Sequence, residues 1–273
     1  MADRNMDTFR RVARYTTREG MELELPPSDF LKMHEVPGVV DPFSESSIQL
    51  FPLGSKLTYA DRTFRYGKNG AVALIAGGLV QSVVPLVGHA DEVIDEPAAG
   101  TFVISFTPAV DSTDDLAVDD LEGGYIWVVD EVGEGILYRI KSHPAIAGAV
   151  AGNITLYDSI ITVPAAGATA TVIHHPLRNV IIHPSPNTAP VVGATVIPVT
   201  ANFFTWFQTG GPAAILTDGT VIIGEHVRIS DAAVNGSVEP LNRDGTDEDE
   251  QEVGVVLIAS ADTEYSLIKL NLE

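Results

Sequence analysis

The feature that most constrains this chain is its last third, a run of short apolar stretches cut by turn signals. From Phe203 it reads FFTWFQTGGPAAILTDGTVIIGEHVRISDAAVNGSVEPL, and further on VGVVLIASADTEYSLIKLNL. Gly210-Gly211-Pro212, Asp218-Gly219, Asn235-Gly236 and Asp244-Gly245 separate the stretches. Asp-Gly and Asn-Gly supply the positive φ angles that tight hairpins need. The segment is therefore expected to form a compact antiparallel sheet, with Gly210-Gly211-Pro212 as one of its turns.

The same texture continues upstream. In residues 48–70, Leu57, Tyr59, Phe64 and Tyr66 alternate with polar neighbours, which predicts two strands joined near Ala60-Asp61-Arg62. Residues 71–88 carry no charge, but Gly77-Gly78, Gln81 and Pro85 interrupt them. They read as buried strands around a Gly-Gly turn rather than as a membrane span. Between 100 and 182, the stretches TFVISFTPA, GGYIWVVDE, GILYRIKSHP, NITLYDSI and TATVIHHP are strand-like and evenly spaced, as in a small sandwich or barrel. The chain is therefore expected to be all-β. A small open sheet at the C-terminus leaves unpaired edges, and residues 48–90 hold matching short strands. The expected organisation is a discontinuous, small-barrel or tulip-like β-domain from 48–90 plus 183–273. A second β-sandwich or barrel, 91–182, is inserted in it.

Residues 1–47 read as an arm. Asp7 or Thr8 is placed to cap a short helix over 7–19, with Phe9, Val12 and Ala13 on one narrow face and Gly20 as its stop. The four prolines of 21–47 then predict an extended linker. The charge of the chain, −21, is uneven: residues 1–18 sum to +3 and the rest to −24. So acidic a body repels nucleic acid and anionic membranes, whereas the basic stretch suits an acidic protein partner. Phe9, Arg10, Arg11, Arg14, Tyr15 and Arg18 are the candidate partner-binding residues.

Catalytic chemistry finds little support. With no cysteine there is neither a disulfide framework nor a thiolate metal site. The first twenty residues lack the apolar core of a secretion signal. No G-x-S-x-G, H-E-x-x-H, Walker loop or strand-borne G-x-G-x-x-G occurs. His174 and His175 are adjacent, so on a regular strand they face opposite ways and cannot share a metal. His143 has no evident partner. Asp111, Asp114, Asp115, Asp119 and Asp120 crowd one loop without EF-hand spacing, and Asp247–Glu250 read as a second acidic loop. Trp127 and Trp206 read as core. No enzyme activity, metal or cofactor is expected.

One resemblance supplements these readings. Gly211-Pro212-Ala213, Leu216-Thr217-Asp218-Gly219-Thr220-Val221, Gly224, the small-residue run to Gly236, and Val238-Glu239-Pro240 form the first part of it. Val253-Gly254-Val255 and Ala259-Ser260-Ala261-Asp262 complete it. Together they resemble the capsid decoration, or cement, proteins of tailed bacteriophages. Residues 52–81 and the stretch GGYIWVVDEVGEGILYRIKSHP are also similar to segments of such virion proteins. The resemblance implies a protein of the outer capsid surface, homotrimeric, that clamps neighbouring major capsid protein subunits and staples them with its arm. Removing residues 1–47 is then expected to abolish capsid binding and leave the body folded. The alternatives are a tail-tube or receptor-binding virion protein, which a sizing measurement separates. A carbohydrate-binding protein or glycosidase is a further alternative, and the glycosidase would need an aromatic-lined cleft with two carboxylates at fixed separation.

Overall fold

The computed structural model describes residues 13–17, 20–26, 40–110, 115–232, 234–241 and 251–273. Among them the fold is all-β, and the helical structure is one 3-10 turn at Val87–His89. The chain divides into two units, one made of residues 1–83 and 177–273, the other of 84–176.

The first unit opens with β1 (Ala13–Thr16), β2 (Glu22–Leu25), β3 (Glu45–Ser46), β4 (Lys56–Tyr59), β5 (Arg62–Lys68) and β6 (Leu79–Gln81). The second contains β7 (Glu92–Val93), β8 (Val103–Phe106), β9 (Tyr125–Val128), β10 (Leu137–Ser142), β11 (Gly152–Leu156) and β12 (Thr169–Ile173). The chain returns to the first unit through β13 (Ile181–Ile182), β14 (Val191–Ala194), β15 (Phe204–Leu216) and β16 (His226–Ile229). It ends with β17 (Val238–Pro240), β18 (Glu252–Ile258) and β19 (Tyr265–Asn271).

The main sheet of the first unit runs β1-β2-β4-β5-β15-β19-β18-β16-β17. Its centre is β15, which extends unbroken through Gly210-Gly211-Pro212, where the sequence reading expects a turn. The glycines make a bulge instead. Residues 204–210 pair with β5, the register slips between Gln208 and Gly210, and residues 210–216 pair with β19. Gly211 has φ +81°, and a Cβ there would lie 2.1 Å from the Asp61 carbonyl oxygen. A bulge uses the same residue chemistry as a turn, and Pro212 is tolerated because the β5 pairing has ended at Gly210, leaving Pro212 in the ladder with β19 alone among the described residues. The other turn signals are turns: Gly219 and Gly236 both adopt positive φ. Asp244-Gly245 lies outside the described residues.

The N-terminal part differs from the expected arm. Residues 13–16, within the expected helix 7–19, are strand β1, paired antiparallel with β2 from Ala13–Leu25 to Thr16–Glu22. Gly20 closes this hairpin rather than a helix, its N–H donating to the Thr17 carbonyl at 3.1 Å. A helix with so narrow an apolar face is marginal in water, whereas pairing with Met-Glu-Leu-Glu-Leu satisfies its backbone in a ladder. The alternation of that segment is itself a strand signal. Met21, Leu23 and Leu25 are buried with Val40, Phe51, Leu57, Phe64, Tyr66 and Trp206 in one core cluster. These residues belong to the body, so deleting 1–47 would open its core. Trp206 is core, as expected. Within the cluster, Phe51 and Tyr66 meet edge-on with centroids 5.2 Å apart, and Trp206 lies 5.1 Å from Tyr66. The Tyr66 hydroxyl accepts a hydrogen bond from the Leu50 N–H at 3.0 Å, and burial pushes its pKa up to about 12.

Residues 71–88 turn at Gly77, φ +67°, between the Leu74–Val199 bridge and β6. None of the described helices is long and apolar enough to cross a membrane.

In the second unit each of the five strand-like stretches contains a strand. The order is β7-β12-β9-β10-β11-β8, and the bridge Ile94–Phe106 joins the last strand back to the first. The bond from the Thr107 N–H to the Val93 carbonyl, 3.1 Å, continues the closure. The result is a six-stranded antiparallel barrel. Alternate residues point inward: Ile104 and Phe106, Ile126 and Val128, Tyr138 and Ile140, Ile154 and Leu156, Ala170 and Val172 fill it. Trp127 lies between two inward residues and is only half-buried, on the outer face, because strand parity rather than size decides its side.

Candidate functional site

Two of the six expected partner-binding residues lie in the described part of the chain. Arg14 and Tyr15 stand on β1, the terminal strand of the main sheet, which has a partner on one side only among the described residues. Arg14 sits directly opposite Glu24 and pairs with it at 2.7 Å on an exposed face. Exposed cross-strand pairs of this kind hold the register more than they stabilise the fold. Tyr15 is exposed and stands opposite buried Leu23. Phe9, Arg10, Arg11 and Arg18 lie outside the described residues.

His143 and His174 have local structural partners. Buried His143 accepts the Leu121 N–H at Nε2, 2.9 Å, and its Nδ1 lies 2.7 Å from the Pro144 carbonyl. The partner missing from the sequence reading is thus backbone. Nε2 of His174 lies 2.9 Å from Asp120 Oδ2. Of the acidic loop, Asp115 accepts the Gly148 N–H and Asp119 the His143 N–H, so both organise turns. Asp111 and Asp114 lie outside the described residues, as does the 247–250 tract. Among the described residues no group of three or more His, Asp or Glu side chains is arranged to hold a metal ion.

A largely buried polar network lies on β16 and β17 in the first unit. Arg228, on β16, contacts Glu239 of the neighbouring β17 and lies 3.5 Å from Asp231. The Ser230 hydroxyl lies 2.9 Å from Asp218 Oδ2 and 3.2 Å from Glu239 Oε2. Burial raises the Glu239 pKa above the ordinary carboxylate value, with Arg228 pulling the other way. Among the described residues no histidine is placed to serve Ser230 as a base, and the network reads as a buried ion pair joining the paired strands β16 and β17.

The site with most chemical character is a cleft of about 470 Å³ in the first unit, where β15 changes partner from β5 to β19. Its walls are mainly apolar: Ala76, Val196, Pro212, Ala213, Ala214 and Leu267, with Phe43 and Tyr265 at the rim. Arg62, the first residue of β5, is its cation. The guanidinium carbon lies 5.1 Å from the centroid of Phe43, 5.6 Å from Tyr59 and 5.5 Å from Phe64. The part of the lining at Gly77 and Thr195 is pinned: the Gly77 N–H donates to the Thr195 carbonyl, and the Thr195 hydroxyl donates to the Ile75 carbonyl at 2.6 Å. A Cβ at Gly77 would fall 2.6 Å from the Tyr265 ring, so only glycine lets that ring lie where it does. Arg62 sits in the strand joint that the sequence predicts. Nothing in the sequence, however, joins it to Phe43, Val196, Pro212 and Tyr265, because the bulge in β15 brings these distant segments together.

No family model, curated protein or solved structure matches the chain.

Proposed function

We propose that this chain is a structural protein of a tailed-phage virion, binding the outer surface of the assembled capsid and bridging neighbouring major capsid protein subunits, most simply as a homotrimer. One observation carries the reading. The basic stretch of residues 1–18 includes β1, whose outer edge is open among the described residues. An open edge adds a strand from a partner through backbone hydrogen bonds, and flanking arginines select an acidic one. The sequence resemblance points the same way. A ligand that binds the assembled shell and not free subunits stabilises the shell by mass action and needs contact area rather than catalysis.

The test is sedimentation of the full-length protein with assembled shells and, separately, with unassembled coat subunits. The expected result is co-sedimentation with shells alone. A variant with Arg10, Arg11, Arg14 and Arg18 changed to Glu should stay folded and lose about tenfold or more in affinity. Failure of the full-length chain to sediment with shells overturns the function. Unchanged binding by the charge-reversed variant overturns the role given to the basic stretch.

A further inference from the structure

The cleft beside Arg62 is independent of the basic N-terminal stretch and of any capsid role. Three observations describe what it would accept. First, among the described residues Arg62 forms no ion pair, although Asp61 precedes it in the chain; its guanidinium is held instead by three aromatic rings. Arginine over aromatic faces keeps its donors available for an anion while its orientation is fixed. Second, the remaining walls offer apolar side chains and few polar ones, which suits a hydrocarbon body and not a sugar with many hydroxyls. Third, one cation in a body that sums to −24 outside the first eighteen residues favours a single negative charge over a polyanion such as nucleic acid. The rim composition, exposed Phe43 and Tyr265 beside an arginine, is that of a peptide hot spot.

We infer that this cleft binds an extended peptide segment in which a carboxylate side chain stands beside a bulky apolar one. The carboxylate meets Arg62 and the apolar side chain enters between Val196, Pro212 and Leu267. The pinned 75–78 segment means that the cleft is already formed before binding.

The probe is the capped peptide acetyl-Phe-Glu-Phe-amide, with acetyl-Phe-Gln-Phe-amide as its neutral twin. Backbone amide shifts of Tyr265 and Leu267 are followed by NMR during titration of the full-length protein. The expected result is saturable binding of the Glu peptide, about fivefold or more tighter than the Gln peptide. Arg62→Gln should remove that preference. Ala76→Phe, which fills the cleft from its half-exposed wall, should abolish binding of both peptides. Equal affinity for the two peptides, no saturation, or tighter binding of glucuronate than of the Glu peptide overturns the proposal. The peptide comparison on the unmodified protein decides it even where a variant fails to fold.

Discussion

Glu273 offers the sharpest test of how the first unit is held together. Its carboxylate accepts hydrogen bonds from Arg65 at 2.7 and 3.1 Å, from Lys56 at 3.1 Å and from the Thr209 hydroxyl at 2.7 Å. One side chain thus ties β4, β5 and β15 to the end of β19. Partial burial alone would raise its pKa; the donors outweigh that and lower it from 4.5 to about 2. At 1.36 kcal/mol per unit the drop corresponds to about 3 kcal/mol. The side chain retains a quarter of its exposure, so solvent screening reduces this to roughly 1–2 kcal/mol. Because the folded pKa lies below the unfolded one, the contribution is complete above pH 4.5. It is lost as pH falls toward 2, with roughly half gone by pH 3. Glu273→Gln should therefore lower Tm by about 3–6 °C at pH 7. The gap to the unmodified protein should narrow as pH falls from 5 to 3. Thermal unfolding followed by circular dichroism at closely spaced pH values measures both. A gap that is absent at pH 7, or that is the same at pH 3, refutes the reasoning.

Two further outcomes follow from the fold. Gly211→Ala combines a forbidden φ with a Cβ 2.1 Å from the Asp61 carbonyl, so chemical denaturation should show a loss of about 2 kcal/mol or more. A loss of about 1 kcal/mol or less would mean that the bulge relaxes freely. Leu23→Ala, at a residue 1% exposed, should cost about 2–5 kcal/mol in the same assay; a neutral result would return residues 21–25 to the status of a detachable arm.

Much of the fold is legible in the sequence because turn chemistry is local. Asp218-Gly219 and Asn235-Gly236 need positive φ whatever surrounds them, and the alternation in 56–66 marks β4 and β5 by itself. Two misreadings share a physical cause. Gly210-Gly211-Pro212 carries the composition of a turn, yet the close approach of the Asp61 backbone to Gly211 makes it a bulge, and nothing in the local sequence marks that approach. Met21–Leu25 alternates clearly, but Pro26-Pro27 and the glutamates gave it the look of a linker until β4 supplied its partner. The cleft is the least legible feature. Its residues come from positions between 43 and 267, and no spacing rule relates them. The His143 ring meets the Leu121 N–H and the Pro144 carbonyl, backbone partners that leave no mark in the sequence.

The path of β15 has a consequence for how the first unit comes apart. A single uninterrupted backbone is shared by the β5 side and the β19 side of the sheet, so neither side has a seam along which to detach. Fraying of residues 204–210 strips the inner neighbour from β5, and fraying of 210–216 does the same to β19. A load applied at one margin of the sheet is passed across that strand to the other, and the whole sheet resists or yields together.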